Sequence, residues 1–143
     1  MTESIRRELY FPQAPEDVWR ALTDSAALAE WLMPNDFEPR VGHRFTFRTQ
    51  PNPQFGFDGI IRCEVLECAP PARLAYSWAG GPLDTRVSYR LEPEGDGTRV
   101  FFEQAGFDLS NPAEAGAYRG AGPGWARMHA ELGRVIAALA ARR

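Results

Sequence analysis

The chain has 143 residues, of which 44% are hydrophobic and 24% charged; that is the size and composition of one folded domain, and it excludes disordered, fibrous and bilayer-spanning classes. Its net charge is −3, and its 16 basic residues are all arginine and scattered, so no basic patch tracks phosphates, nucleic acid is not an expected partner, and Schiff-base lysine chemistry is excluded. The opening MTESIRREL carries charge where a secretory segment needs an apolar run, and no stretch reaches the roughly 20 apolar residues of a membrane span, so the expected address is the cytoplasm.

In chain order, residues 5–11 place Ile5, Leu9 and Phe11 on one parity, a half-buried strand that Pro12 ends. Pro15 suits a first helical turn, with Glu16 and Asp17 at its positive end and Val18 and Leu22 one turn apart, which predicts a helix over 15–23. Asp24 and Ser25 cap a second short helix carrying Leu28, Trp31 and Leu32, and Pro34 ends it. From Arg44 the period becomes twofold, Phe45 and Phe47 alternating with Arg44, Thr46 and Arg48. Further strands are predicted over 57–68, 73–79, 84–92 and 98–107, separated by Pro70-Pro71, Gly80-Gly81-Pro82 and Glu94-Gly95-Asp96-Gly97. Asn111, Pro112 and Glu114 start a helix that Gly120, Gly122, Pro123 and Gly124 weaken or kink. A long amphipathic helix follows over 123–141, its stripe formed by Trp125, Met128, His129, Leu132, Val135, Ile136 and Leu139.

Cys63 and Cys68 stand five residues apart in one predicted strand. They would lie about 16 Å apart on opposite faces, too far for a disulfide. Both are expected as free thiols, as in a reducing compartment. With neither repeat nor linker, residues 1–143 read as a single domain: an α+β fold in which a curved antiparallel sheet wraps one long C-terminal helix. A helix about 10 Å across fills only part of such a concavity, so an internal cavity is expected.

The segments PQAPEDVWRALTDSAALAEWL (12–32), FEPRVGHRFTF (37–47), PPARLAYSW (70–78), GTRVFFEQAGF (97–107) and Gly124-Trp125 before the last helix carry a resemblance. Together they resemble the START-like, helix-grip superfamily, also called SRPBCC, and within it the activators of heat-shock protein 90 ATPase. The resemblance implies a helix-grip fold over essentially the whole chain and admits a stress-response role with a chaperone or regulator as partner. The chain departs from the family's usual pattern at Gly42-His43, where a glycine pair is usual, at Gln104, often His, and at His129, commonly Leu.

Strand parity and the helix stripe nominate a cavity wall of Trp31, Phe45, Phe47, Phe57, Ile61, Tyr76, Trp78, Tyr89, Phe102, Gln104, Trp125 and His129. The tyrosines and tryptophans each bring a polar atom that must find a partner once buried, and a cavity wall meets both demands. Trp125→Ala beside a cavity is expected to cost less than the roughly 3–5 kcal/mol of a close-packed core position. His129 is expected to turn inward, bond to a ligand or to Tyr76, Tyr89 or Gln104, and have its pKa lowered by burial. His129→Leu is then expected to leave the fold intact or slightly more stable.

The expected function is binding of a small hydrophobic molecule, aromatic or lipid-like. GAYRGAGPGW (116–125) and Asn52–Gly56 are expected as rims of the cavity mouth. No Gly-x-Ser-x-Gly elbow occurs, and two histidines without clustered carboxylates or thiols suggest no metal and no cofactor. No catalytic residue is assigned: acid–base work by His129 with Gln104, Tyr76 or Glu103, as in a cyclase or dehydratase, is an alternative, but Glu103 has outward parity and the balance leans away from an enzyme. Monomer and homodimer both remain open.

Overall fold

The computed structural model describes residues 2–142, with Phe55 by its backbone alone. The order is β1 (Glu3–Phe11), α1 (Pro15–Thr23), α2 (Ser25–Trp31), β2 (Arg44–Arg48), β3 (Ile60–Ala69), β4 (Arg73–Gly80), β5 (Leu83–Glu94), β6 (Gly97–Phe107) and α3 (Pro112–Ala141), with a 3-10 turn at Pro53–Phe55. This is the expected α+β helix-grip architecture, and the strands join one antiparallel sheet in the order β1-β6-β5-β4-β3-β2.

The twofold pattern decides which face is inner. Directly paired residues share a face, so Phe47↔Ile61, Trp78↔Thr85, Tyr76↔Val87, Val87↔Gln104 and Tyr89↔Phe102 define one buried surface. Gly81 and Gly95 sit at the β4–β5 and β5–β6 turns with φ of 55° and 59°, left-handed values that glycine adopts without a Cβ clash. Trp125, His129, Leu132, Val135, Ile136 and Leu139 of α3 are buried on that surface, and α1 and α2 pack against the same helix.

Two expectations are corrected at the strands. β3 begins at Ile60 rather than 57, because Gly59 stands at φ 84° with room for no side chain: a Cβ there would meet the Thr49 carbonyl oxygen at 2.7 Å. Phe57 instead bridges back to Asn52. The register of β3 against β4 shifts between Val65 and Glu67, leaving Leu66 as an extra, exposed residue. The shift turns Cys68 to the inner face opposite Leu74, so the two cysteines do not lie on opposite faces; both are free thiols.

The third correction concerns α3, which is one continuous 30-residue helix from Pro112. Its start is well capped: Asn111 Oδ1 accepts the Ala113 N–H at 3.0 Å, Pro112 occupies the first turn, and the Glu114 carboxylate accepts the Asp108 N–H at 3.2 Å. Alanines 113, 115, 117 and 121 are strong helix formers and carry the helix through Pro123 despite the hydrogen bond that proline removes.

Candidate functional site

Parity sends Phe45 and Phe47 from β2, Ile61 from β3, Tyr76 and Trp78 from β4, Tyr89 from β5, and Phe102 and Gln104 from β6 beneath the helices, where Trp31, Trp125 and His129 meet them. All are buried; Phe57 is half-buried. The rings contact one another in a chain: Phe45 lies 5.4 Å from Phe47, Phe47 5.4 Å from Trp78, Trp78 5.2 Å from Trp125, and Phe102 4.6 Å from Trp125 and 4.7 Å from His129. Those are the separations of directly packed aromatic pairs. The expected wall residues therefore pack on each other through most of the interior.

Several of their polar atoms are paired inside this cluster, while His129 Nδ1 is buried without a hydrogen-bond partner. The Trp125 indole N–H donates to Gln104 Oε1 at 2.7 Å, Gln104 Nε2 donates to Thr85 Oγ1 at 3.0 Å, and the Thr85 hydroxyl donates to the Trp78 carbonyl at 2.9 Å. His129 Nε2 and the Tyr89 hydroxyl are 3.0 Å apart, one of the partners anticipated for this histidine. Burial, and secondarily the charge of Arg7, lowers the His129 pKa to about 3. Burial also pushes the Tyr76 and Tyr89 hydroxyls well above the ordinary phenol range, and the buried Cys63 thiol upward as well. Of these groups, none is poised to exchange a proton near neutral pH.

Open space lies at one end of the cluster. The 52–57 loop, the β4–β5 hairpin and the first turns of α3 enclose an apolar cleft of about 300 Å³, lined by Asn52, Phe57, Ile61, Trp78, Gly80, Pro82, Leu83, Ala113, Gly116 and Ala117. Among the described residues no charged side chain lines it. Ala113, Gly116 and Ala117 fall at i, i+3 and i+4 of α3 and present at most a methyl group each, which leaves the volume unfilled. Gly80 lets the opposite wall close in: a Cβ there would meet Phe57 Cε1 at 3.2 Å and Ile61 Cγ1 at 3.3 Å. Phe57, Ile61 and Trp78 are common to the cleft and to the wall read from the sequence. The two expected rim segments border it through Asn52, Gly116 and Ala117, although 116–125 is helix rather than loop.

With this geometry in place, the family of activators of Hsp90 ATPase, homolog 1-like, matches residues 13–137. The chain belongs to this family. Among curated proteins none matches the chain. Among solved structures, protein MLL2253 from Mesorhizobium loti is similar at 35% identity and a TM-score of 0.81, covering 94% of this chain and 96% of that one. CalU16 from Micromonospora echinospora is similar at 27% identity and a TM-score of 0.76, over 94% of this chain and 76% of that one. The Aha1 dimer from Colwellia psychrerythraea, at 19% identity, a TM-score of 0.77 and coverage of 94% and 96%, shares the fold. Against that family's usual residues, Gln104 and His129 sit in the closed cluster, not in the cleft.

Other candidates lie elsewhere. Glu103 faces outward and pairs with Arg6 at 2.8 Å. His43 bonds through Nε2 to the Asp36 carbonyl at 2.9 Å and stacks on Phe45 at 6.1 Å, at the margin of the cluster. Among the described residues no group of three or more His, Cys, Asp or Glu is placed to hold a metal ion, and no helix is long and apolar enough to cross a membrane. Sequence reasoning missed Thr85, Leu83 and the small-residue stripe of α3. Thr85 was legible as the next inward position before Val87, and the stripe as the backward extension of the Trp125 face in steps of three and four. Arg7 was missed as well: it shares the inner parity of Ile5 and Leu9 and pairs with Phe102, which brings its charge to His129 and Tyr89.

Proposed function

We propose that residues 1–143 act as one cytoplasmic domain that binds a small hydrophobic molecule, aromatic or lipid-like, in the cleft at the start of α3. The observation that carries this reading is the cleft itself, an apolar space of about 300 Å³ with Phe57, Ile61, Trp78 and Leu83 in its wall and no charged lining residue. That is the lower end of the size range of small-molecule sites, and such sites are mostly apolar with few polar groups. Trp78 would be the anchor: its outer side faces the cleft, while Trp125, Gln104 and Thr85 hold it from behind. The test is Ala117→Trp, which places an indole in the cleft on a helix that tolerates the change at roughly 0.5 kcal/mol of propensity. Calorimetric titration with naphthylethanol is expected to show binding to the parent chain and at least a tenfold loss in the variant, with near-unchanged melting. Equal affinity for both chains would remove the cleft as the site.

A second reading, self-association, rests on Val41 and Leu66. They are 59% and 41% exposed, and the Gly42 N–H bond to the Val65 carbonyl at 2.8 Å joins the backbone next to each of them near the β2 edge of the sheet. Contact between copies there would make the chain a dimer, a state that the Colwellia protein also adopts. Light scattering of the parent chain and Leu66→Asp decides it: a dimer that the substitution dissociates supports the reading, and a monomeric parent refutes it.

A further inference from the structure

We propose that the cleft selects an amphipathic monocarboxylate: an apolar body of about ten non-hydrogen atoms inside, and a carboxylate at the lip, held by Arg119. This rests on the reading of the cleft as a ligand site. The size follows from the volume, about 300 Å³, equal to that of roughly ten liquid water molecules. An uncharged lining accepts the body and gives a charged head nothing inside to pair with, so a head group must lie at the mouth.

The charges beside the lining residues in sequence decide the sign of that head. Asp58, next to Phe57, is committed to Arg62 at 3.0 Å. Glu114, next to Ala113, accepts the Asp108 N–H. Asp84, next to Leu83, has the parity opposite to buried Thr85 and so lies on the outer face of the sheet. Arg119 remains. Its side chain folds back along α3, so that Nη2 comes within 3.8 Å of where a Cβ on Gly116 would stand, and Gly116 is part of the cleft wall. Arg119 is exposed and among the described residues has no ion-pair partner. A glycine at 116 keeps the path between guanidinium and cleft clear. A guanidinium offers paired N–H donors in a planar fork, and a carboxylate is the smallest anionic head that fits it.

The experiment compares naphthylacetate with naphthylethanol, which share an apolar body and differ in the head. Both are titrated into the parent chain and into Arg119→Gln and Arg119→Lys. For a pair at the solvent boundary the expected preference for naphthylacetate is about three- to fivefold at low ionic strength, shrinking as salt is added. Arg119→Gln is expected to abolish the preference and leave naphthylethanol affinity unchanged; Arg119→Lys is expected to retain part of it. Equal binding of the two probes by the parent chain, or a preference that survives Arg119→Gln, overturns the carboxylate inference and leaves the hydrophobic cleft standing. Failure of both probes to bind the parent chain overturns the cleft reading and this inference with it.

Discussion

The two ends of α3 meet the same sheet with opposite results. Around Trp125 and His129 the concavity is closed by rings packed 4.6–5.4 Å apart and by the hydrogen bonds that link Trp125, Gln104 and Thr85, whereas around Ala113, Gly116 and Ala117 it stays open as a cleft. The sheet supplies large inner residues at both ends, so the difference is set by helix side-chain volume. A helix-grip fold does not by itself guarantee a cavity; it provides a concavity that each turn of the helix fills or leaves empty.

The largest expected effect breaks the closed end. Trp125 is 2% exposed, packs against Trp78, Phe102 and His129, and bonds to Gln104. Trp125→Ala is therefore expected to cost the full 3–5 kcal/mol or so of a close-packed aromatic, against the smaller cost anticipated from the sequence for a cavity-lining residue. It also strands Gln104 Oε1. Chemical denaturation measures it, and a loss below about 2 kcal/mol would mean that the closed end is looser than its ring contacts imply.

His129 sharpens the same end through pH. Its pKa in the folded chain is about 3, below the ordinary value of 6.5, so the unfolded chain binds the extra proton between those limits. Stability from this group is complete above pH 6.5 and falls as the pH drops toward 3, by about 2 kcal/mol at pH 5. Unfolding free energies from urea titration at pH 7 and pH 5 are expected to differ by that much more in the parent chain than in His129→Leu; equal differences would place a protonatable or solvated imidazole there. At pH 7, His129→Leu leaves the Tyr89 hydroxyl without its partner 3.0 Å away, so a cost of roughly 1–3 kcal/mol replaces the neutral or stabilising outcome inferred from the sequence. Adding Tyr89→Phe is expected to recover most of it, and a purely additive double variant would show the two groups to be uncoupled.

Sequence patterning made the closed end legible and the open end much less so. Twofold alternation across β2, β4, β5 and β6 and the stripe from Trp125 place large residues, and large residues announce themselves. A cleft is written in small ones: Ala113, Gly116 and Ala117 carry no hydrophobic signal that distinguishes wall from filler. Gly120, Gly122, Pro123 and Gly124 also read as a helix break, while the cap at Asn111 and the intervening alanines hold the helix together. The β3 bulge was invisible for a related reason, since Leu66 fits a strand pattern and only the partner register shows it to be extra. The matching of Gln104 to Trp125 and Thr85 needed three elements in space at once.

The smallest expected effect separates helix propensity from the cleft. Gly120 and Gly116 both lie inside α3, and alanine meets no obstacle at either: nothing stands within 4 Å of a Cβ at 120, and at 116 the nearest atom is Arg119 Nη2 at 3.8 Å. Alanine at each site restricts the unfolded chain and favours the helix, so each substitution is expected to stabilise by about 0.5–1 kcal/mol. The two differ in what else they touch. Gly120 is exposed and outside the cleft, while Gly116 is one of its lining residues. Gly120→Ala is expected to raise stability and leave naphthylethanol binding unchanged. Gly116→Ala is expected to give the same gain together with a two- to threefold loss of affinity, since one methyl group takes up part of a small space. Parallel thermal melts and titrations of the two variants check the pair. Equal affinities would show that the probe sits clear of the second turn of α3, and equal losses would show that helix stiffness rather than cleft volume governs binding.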